Sequence, residues 1–375
     1  MTKILLVGAG GYAHVYLNFL LDNEDKSIVL EGVVEKYLDT CPSKDELIAH
    51  GIPIYTDMES FYAEHTADLA IICTPTFLHS SQSICALSHG SYVLCEKPVA
   101  PTVKEAEAMM EAEEKYGKWI AIGYQWSYSD EIQHLKRDIL DGVFGKPLSF
   151  KTAVSWPRNK DYYGRGVGWA GRVSRDGVMI LDSIASNACA HYVHNMFFLL
   201  GGEMNISAEA EELDAVLLRA NDIENFDTCS LKMVTNDGTK LYFIASHAAE
   251  SKRGPEFEYR FENATVLFTE SDEKEIKVIF RDGREVSYGD PFSDVIKKLK
   301  DCIFAVNNSS VPICTVKTAF PHTKLIERLY YDFEVHDFPK DLIRFSEEDN
   351  RVYVEGLYKE LYDAYGKEDM FCRYL

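Results

Sequence analysis

The chain contains no stretch near 18 uninterrupted apolar residues, so no segment is expected to cross a bilayer as a helix. It also has no CxxC pair. Its 9 cysteines are odd in number and scattered, and several (Cys73, Cys95) sit inside apolar runs. That pattern fits reduced core thiols in a cytoplasmic protein better than a disulfide or zinc framework. Basic charge is in short supply: 39 Lys and Arg face 60 Asp and Glu, a formal net charge of -21. Such a balance repels phosphate backbones and anionic lipid, so neither nucleic acid nor a membrane is expected as a partner. Repeats and low-complexity segments are absent. The N-terminus offers Lys3 and a short apolar run before glycines, which reads as a first strand and not as a secretory signal.

What is present is enough for two domains: 375 residues, 46% of them hydrophobic. The first 125 or so residues alternate strand and helix. Strands are expected at Lys3–Val7, Ile28–Val34, Ala67–Cys73, Tyr92–Cys95 and Trp119–Tyr124. Helices are expected at Tyr12–Leu21, Thr76–His89 and Thr102–Tyr116, the last opened by a Thr102…Glu105 capping box and closed by Gly117. The alternation predicts a doubly wound parallel sheet. Near residue 147 the pattern changes to strands with hairpin turns such as Asn236-Asp237-Gly238. Helices are expected about Ile180–Leu200, Asp294–Val306, Val316–Tyr331 and Glu347–Tyr365. The predicted class is α/β, with an N-terminal domain over residues 1–124, an α+β domain on an open, largely antiparallel sheet over 125–330, and a helical extension over 331–375.

Two motifs carry chemistry. Gly8-x-Gly10-x-x-Ala13 follows Ile4-Leu5-Leu6 and opens a helix, the setting a dinucleotide fingerprint requires. Gly8 permits the tight turn, Gly10 lets backbone approach a pyrophosphate, and Ala13 lets helix pack on strand. Gly11 and Tyr12 lie in the same loop, at a helix N-terminus that favours negative charge. Glu35 ends the second strand where a ribose-binding acid belongs. It favours the diol of NAD, and the neighbouring Lys36 keeps NADP as the alternative. Thr74 and Pro75 end another parallel strand and are expected at the nicotinamide half. His79 either lines that site or is a hydrogen-bonded helix-face histidine. The second motif is Glu96-Lys97-Pro98, after Tyr92–Cys95. Proline biases the preceding residue to extended backbone, so Lys97 is presented at the strand end, where an ammonium can serve a substrate hydroxyl or carbonyl.

These segments, with Cys73–His79 and Ile122–Trp126, resemble the glucose–fructose oxidoreductase, inositol dehydrogenase and rhizopine-catabolism family, Gfo/Idh/MocA. The resemblance covers nearly all of residues 1–330. It implies a Rossmann domain, an open-faced sheet domain, NAD(P)-dependent redox chemistry on sugars and cyclitols, and homodimer or homotetramer assembly. It also implies cofactor contacts at Glu96 and Lys97, and approach of Tyr124 to the active site. The family's helical Asp and His, four residues apart, correspond here to Asn187 and His191. On a continuous helix these share a face. His191 is then the general base, and Asn187 can orient a hydroxyl but carries no charge. Asp182 either compensates or caps the helix. His194, one turn beyond His191, is a substrate contact; two histidines without a third ligand give no metal site.

Between Trp156 and Gly177 the chain gathers 4 arginines, 4 aromatics and 5 glycines. Aromatic faces stack on sugar rings and guanidinium groups bind hydroxyls or a carboxylate. Tyr163, Trp169 and Arg172 are the expected substrate contacts, against the alternative of a surface loop that packs on itself. The sequence thus predicts hydride transfer between nicotinamide and a secondary alcohol or ketone of a carbohydrate-like molecule. Two alternatives stand: a glycoside-processing enzyme that recycles its NAD, and a non-catalytic nicotinamide sensor.

Overall fold

The computed structural model describes residues 1–164, 168–270, 274–371 and 373–374. Arg165, Gly166 and Val167, in the arginine-rich loop, lie outside them. The chain divides into two compact units, Met1–Tyr128 with Asp294–Phe320, and Ser129–Ser293 with Pro321–Leu375.

In the first unit, strands β1 (Thr2–Val7), β2 (Ile28–Val34), β3 (Ile54–Tyr55), β4 (Leu69–Ile72), β5 (Tyr92–Cys95) and β6 (Ile120–Ile122) form a six-stranded sheet. Its order is β3-β2-β1-β4-β5-β6, and every pairing is parallel. Helices α1 (Ala13–Asp22), α2 (Lys44–Ala49), α3 (Met58–Glu64), α4 (His79–Ser88) and α5 (Val103–Tyr116) supply the crossovers, and α6 (Gln125–Tyr128) follows β6. Strand order reverses between β1 and β4, and ligands of such sheets bind at the carboxyl ends beside that switch point. All four residues of β4 are buried, as continuous apolar strands covered on both faces should be. The Thr102 side chain accepts from the Glu105 backbone, and Gly117 closes α5 with φ 63°.

Helix α10 (Lys297–Asn308) belongs to this first unit, although it follows the whole strand-rich region. Its Leu299, Cys302 and Ile303 join Ile4, Leu6, Leu94 and Ala121 in one apolar cluster. The compact units therefore differ from the expected linear division at residues 124 and 330, because burial of this apolar stripe returns the chain to the first sheet. Helix α11 (Val316–Asp332) crosses the second boundary with Pro321 inside it.

The second unit opens with helix α7 (Asp130–Leu140), capped by Ser129, which the sequence analysis did not anticipate. Strand β7 (Pro147–Ser155), helix α8 (Lys160–Gly164) and the short pair β8 (Ser174–Arg175) and β9 (Val178–Met179) precede helix α9 (Ala190–Leu200). Then come β10 (Ala210–Arg219), β11 (Thr228–Thr235), β12 (Lys240–Ser246), β13 (Arg253–Phe261), β14 (Ala264–Thr269), β15 (Ile276–Phe280), β16 (Glu285–Gly289) and β17 (Val335–Asp337). The large sheet runs β16-β15-β14-β13-β7-β12-β11-β10-β17 and is antiparallel except at β7–β12 and β10–β17.

The expected helix Glu347–Tyr365 is a correction. Arg351–Val354 is a strand, β19, paired with β18 (Ile343–Ser346), and α12 (Leu357–Lys367) begins only after Gly356 at φ 83°. The alternation in Arg351-Val352-Tyr353-Val354 has period two, which a strand satisfies and a helix does not. The tail packs on its own unit: Leu357, Leu361 and Ala364 of α12, with Phe371 and Tyr374, share a cluster with Val216, Leu218 and Ile244 of the sheet.

Candidate active site

The glycine loop joins β1 to α1. Gly8 has φ 84°, and a Cβ there would lie 3.0 Å from Thr74 Cγ2 and 3.1 Å from the Cys73 carbonyl carbon. Gly10 differs: an added Cβ would meet no protein atom within 4 Å. Helix α1 starts without a side-chain cap at Tyr12. An open cradle at an uncapped helix start fits a pyrophosphate. The two glycines therefore predict separable failures. Gly8→Ala should cost about 1–2 kcal/mol of stability through its left-handed backbone. Gly10→Ala should leave the unfolding midpoint unchanged and weaken NAD binding about tenfold or more. Thermal unfolding and dinucleotide titration of both variants check this.

Glu35 is half-buried at the end of β2, and its two oxygens accept from the Ala9 and Tyr37 backbone N–H groups, each at 2.9 Å. The ribose-binding candidate is thus docked on the glycine loop itself. Lys36 is exposed, its Nζ 5.7 Å over the Tyr37 ring. Thr74 donates to the Gln82 side chain at the end of β4.

His79 takes the structural reading. It is 1% exposed, and its ring nitrogens lie 2.8 Å from the Pro98 carbonyl and 2.9 Å from the Thr74 carbonyl. Burial lowers its pKa, and the two carbonyls only partly oppose that. The ring ties the strand end at Thr74 to the Lys97-Pro98 segment.

Glu96 also departs from expectation. It is 8% exposed, and its carboxylate is occupied by protein. Oε1 accepts from Tyr16 Oη at 2.5 Å and Lys298 Nζ at 2.5 Å, and Oε2 lies 3.3 Å from the Lys97 backbone N–H. A Cβ on Gly123 would fall 2.9 Å from Oε1. Glu96 is thus a positioning residue beneath the half-buried Lys97, not a cofactor contact. Burial by itself would raise its pKa, but the Lys298 charge and hydrogen bond, with Tyr16, bring the net below the usual carboxylate value. Lys298, 1% exposed, is held above the ordinary lysine value by the same pairing against the opposing effect of burial. Its Nζ also sits 4.3 Å over the Tyr12 ring, so one ammonium braces both motifs. Sequence reasoning missed Lys298, which lies 202 residues from its partner. Tyr124 is fully buried, and desolvation puts its phenol well above the ordinary value, so it is not presented as a substrate contact.

In the second unit, the expected helix Ile180–Leu200 is broken. Ile184–Ala188 is a π-turn capped by Ser183, and α9 begins at Ala190. The shared face inferred for Asn187 and His191 assumed unbroken α-helical geometry, so that derivation fails at the π-turn. Asp182 does not cap; Ser183 does. Instead Asp182, 6% exposed, accepts from the Asn187 amide at 2.9 Å and from the Gly171 backbone N–H at 2.6 Å. Leu181 before it holds φ 50°, a strained conformation for a branched residue, and such strain clusters at functional sites. The carboxylate thus lies against the Asn187 amide and the loop backbone instead of the helix start. His191 is half-buried on the first turn of α9. His194 is 1% exposed, and burial, then His322 and Lys136, push its pKa well below the ordinary value, so it is a core residue and not a substrate contact.

The arginine-rich loop largely packs on itself. Arg172 bonds Glu224 at 2.8 Å and the Gly168 carbonyl at 2.7 Å, a correction to its expected role. Arg175 pairs with Asp176, and Arg158 stacks on Tyr162. Arg172 and Arg175 are thereby paired with carboxylates, while Arg158 rests on aromatic rings. Tyr163 is half-buried with its hydroxyl enclosed, and Trp169 is half-buried.

Residues 2–124 match the family model for Gfo/Idh/MocA, described as an oxidoreductase family with an NAD-binding Rossmann fold. Residues 2–124 are thus similar to the NAD-binding domain of that family, over about a third of the chain. Among its curated relatives, the 2,7-anhydro-N-acetylneuraminate hydratase of Mediterraneibacter gnavus is 27% identical over 135 residues, 33% of this chain and 36% of that protein. The D-glucoside 3-dehydrogenase of Escherichia coli is 25% identical over 145 residues, 38% of this chain and 40% of that protein. The chain thus aligns with well under half the length of either relative. The crystal structure of the WlbA dehydrogenase from Bordetella pertussis, in complex with NADH and UDP-GlcNAcA, matches at a TM-score of 0.73 over 88% of this chain and 95% of that one. At 20% identity, that likeness is one of fold.

Proposed function

We propose that this chain is a Gfo/Idh/MocA-type, NAD-dependent oxidoreductase that moves a hydride between nicotinamide and a secondary alcohol or ketone of a sugar, glycoside, sugar acid or cyclitol. The observation that carries it is Lys97, seated at the carboxyl end of β5 by the Glu96–Lys298 pair in the same unit as the glycine loop. Gly8, Gly10, Gly11, Tyr12, Ala13, Glu35, Thr74 and Pro75 would hold the dinucleotide. NAD, when bound, supplies a hydride acceptor at the pyridine ring. Lys97 and His191 move the hydroxyl proton and polarise the carbonyl, and Asn187, oriented by Asp182, positions the hydroxyl. Tyr163 and Trp169 remain the proposed sugar contacts. With Arg172 and Arg175 paired to carboxylates, the loop supports neutral sugars as well as sugar acids. The reading includes a cytoplasmic homodimer or homotetramer. Support for that comes from free cysteines throughout the described residues and from Ile279 and Val286, 37% and 39% exposed on the sheet.

The test is a panel of sugars, glycosides, sugar acids and cyclitols, incubated with NAD and with NADP and followed by reduced-nicotinamide fluorescence. At least one class should reduce NAD, with NAD preferred because Glu35 repels a 2′-phosphate. A chain that binds NAD yet reduces it with no member of the panel contradicts the reading. A second reading is favoured by the relative named a hydratase: a substrate consumed without accumulation of NADH would identify an NAD-recycling enzyme.

A further inference from the structure

Helix α4 carries a second set of chemistry-bearing groups. Its first residue, His79, serves the strand ends, while Cys85 and His89 lie at the other end, about 9–15 Å along the axis at 1.5 Å per residue. There Cys85 Sγ lies 3.5 Å from Glu59 Oε1 on α3 and 3.8 Å from His89 Nδ1, and His89 Nε2 lies 3.5 Å from Glu59 Oε2. One donor atom from each residue falls within 4.8 Å of the other two, and this is the only such trio among the described residues.

The surroundings orient these groups. His89 Nδ1 is 3.0 Å from the Cys85 carbonyl, and the Tyr62 ring stacks on the imidazole at 4.4 Å with planes 5° apart. Tyr62 is in turn fixed by Ser91, 2.8 Å from its hydroxyl. A proton on Nδ1, donated to that carbonyl, leaves the Nε2 lone pair facing the Glu59 carboxylate. In that tautomer a cation between the two acceptors, a proton or a metal ion, satisfies both. A carbonyl-anchored imidazole is also the usual arrangement around metal-bound histidine.

We propose that Glu59, Cys85 and His89 form a zinc site that fastens α3 to α4. Sulfur, nitrogen and oxygen donors together suit zinc and offer too few oxygens for magnesium or calcium. Tetrahedral bonds of about 2.0–2.3 Å place ligand atoms about 3.3–3.6 Å apart; Glu59 lies 3.5 Å from both Cys85 Sγ and His89 Nε2, and all three donors fall within 4.8 Å of one another. Glu59 and His89 are exposed and Cys85 half-buried, so water completes the fourth position. The sequence showed no CxxC or paired-histidine spacing, because the third ligand comes from a separate helix.

The test uses the full chain, reduced and stripped of metal, titrated with Co²⁺ and then Zn²⁺. The expected result is one equivalent of bound Co²⁺ with a thiolate-to-cobalt charge-transfer band, displaced by Zn²⁺. Cys85→Ser should abolish the band, and His89→Ala and Glu59→Gln should each weaken zinc about 10-fold or more, with far-ultraviolet circular dichroism unchanged. No band in the wild type overturns the proposal and leaves an ordinary His89–Glu59 ion pair. A band that survives Cys85→Ser overturns it too, since another cysteine then holds the metal.

Discussion

Replacing Lys97 with alanine should lower turnover by about 10²–10⁴-fold, the range expected when a positioned acid–base group is removed. NAD affinity should change far less. The ammonium is delivered by local geometry: the Glu96 carboxylate holds the Lys97 backbone N–H, and His79 holds the Pro98 carbonyl. Those contacts involve backbone, so they survive truncation of the side chain. Single-turnover formation of reduced nicotinamide, measured beside NAD titration, separates the two quantities. A loss confined to NAD affinity would make Lys97 a cofactor ligand only. Unchanged turnover would remove Lys97 from the chemistry.

The second large effect concerns Lys298. Lys298→Met leaves the buried Glu96 carboxylate without its cation, and breaking one side of such a pair costs about 3–5 kcal/mol. The double variant Glu96→Gln, Lys298→Met removes both charges and should regain much of that loss. The pH dependence has a definite sign. Glu96 has a lowered folded-state pKa, so its contribution is present above the unfolded carboxyl value, about 4.3, and disappears as pH falls through the folded value. Lys298 has a raised one, so its contribution holds below about 10.4 and is lost as pH rises through the folded value. Urea unfolding of wild type and Lys298→Met should therefore differ most between these limits, and the gap should narrow in acid. A cost below about 1 kcal/mol at neutral pH, the size of an exposed pair, would contradict the account.

Five of the six strands of the first sheet were legible because they are mostly apolar runs and the signals at their turns are local, whereas the two-residue β3 was too short to read. Thr102 and Gly117 cap α5 where the sequence placed them, and Gly8 has the positive φ its turn needs. What escaped depends on distant partners or broken periodicity. The π-turn at Ile184–Ala188 has no signature in a 3.6-residue pattern, so Asn187 and His191 were placed on one face and Asp182 was left ambiguous. Lys298 reads as a surface lysine until α10 packs on the first sheet. Glu96 and Arg172 were read as ligand contacts because a sequence shows charge but not the partner that neutralises it. Helix α7 carried its own signal, Ser129 followed by Asp130 and Glu131 in the first turn, and this could have been read.

The most direct test of the central claim is a crystal structure of the full chain with NADH. The account predicts the pyrophosphate on the Gly8–Ala13 loop and Lys97 turned toward the reactive edge of the nicotinamide. A dinucleotide bound elsewhere, or a Lys97 side chain facing away from that ring, would contradict it.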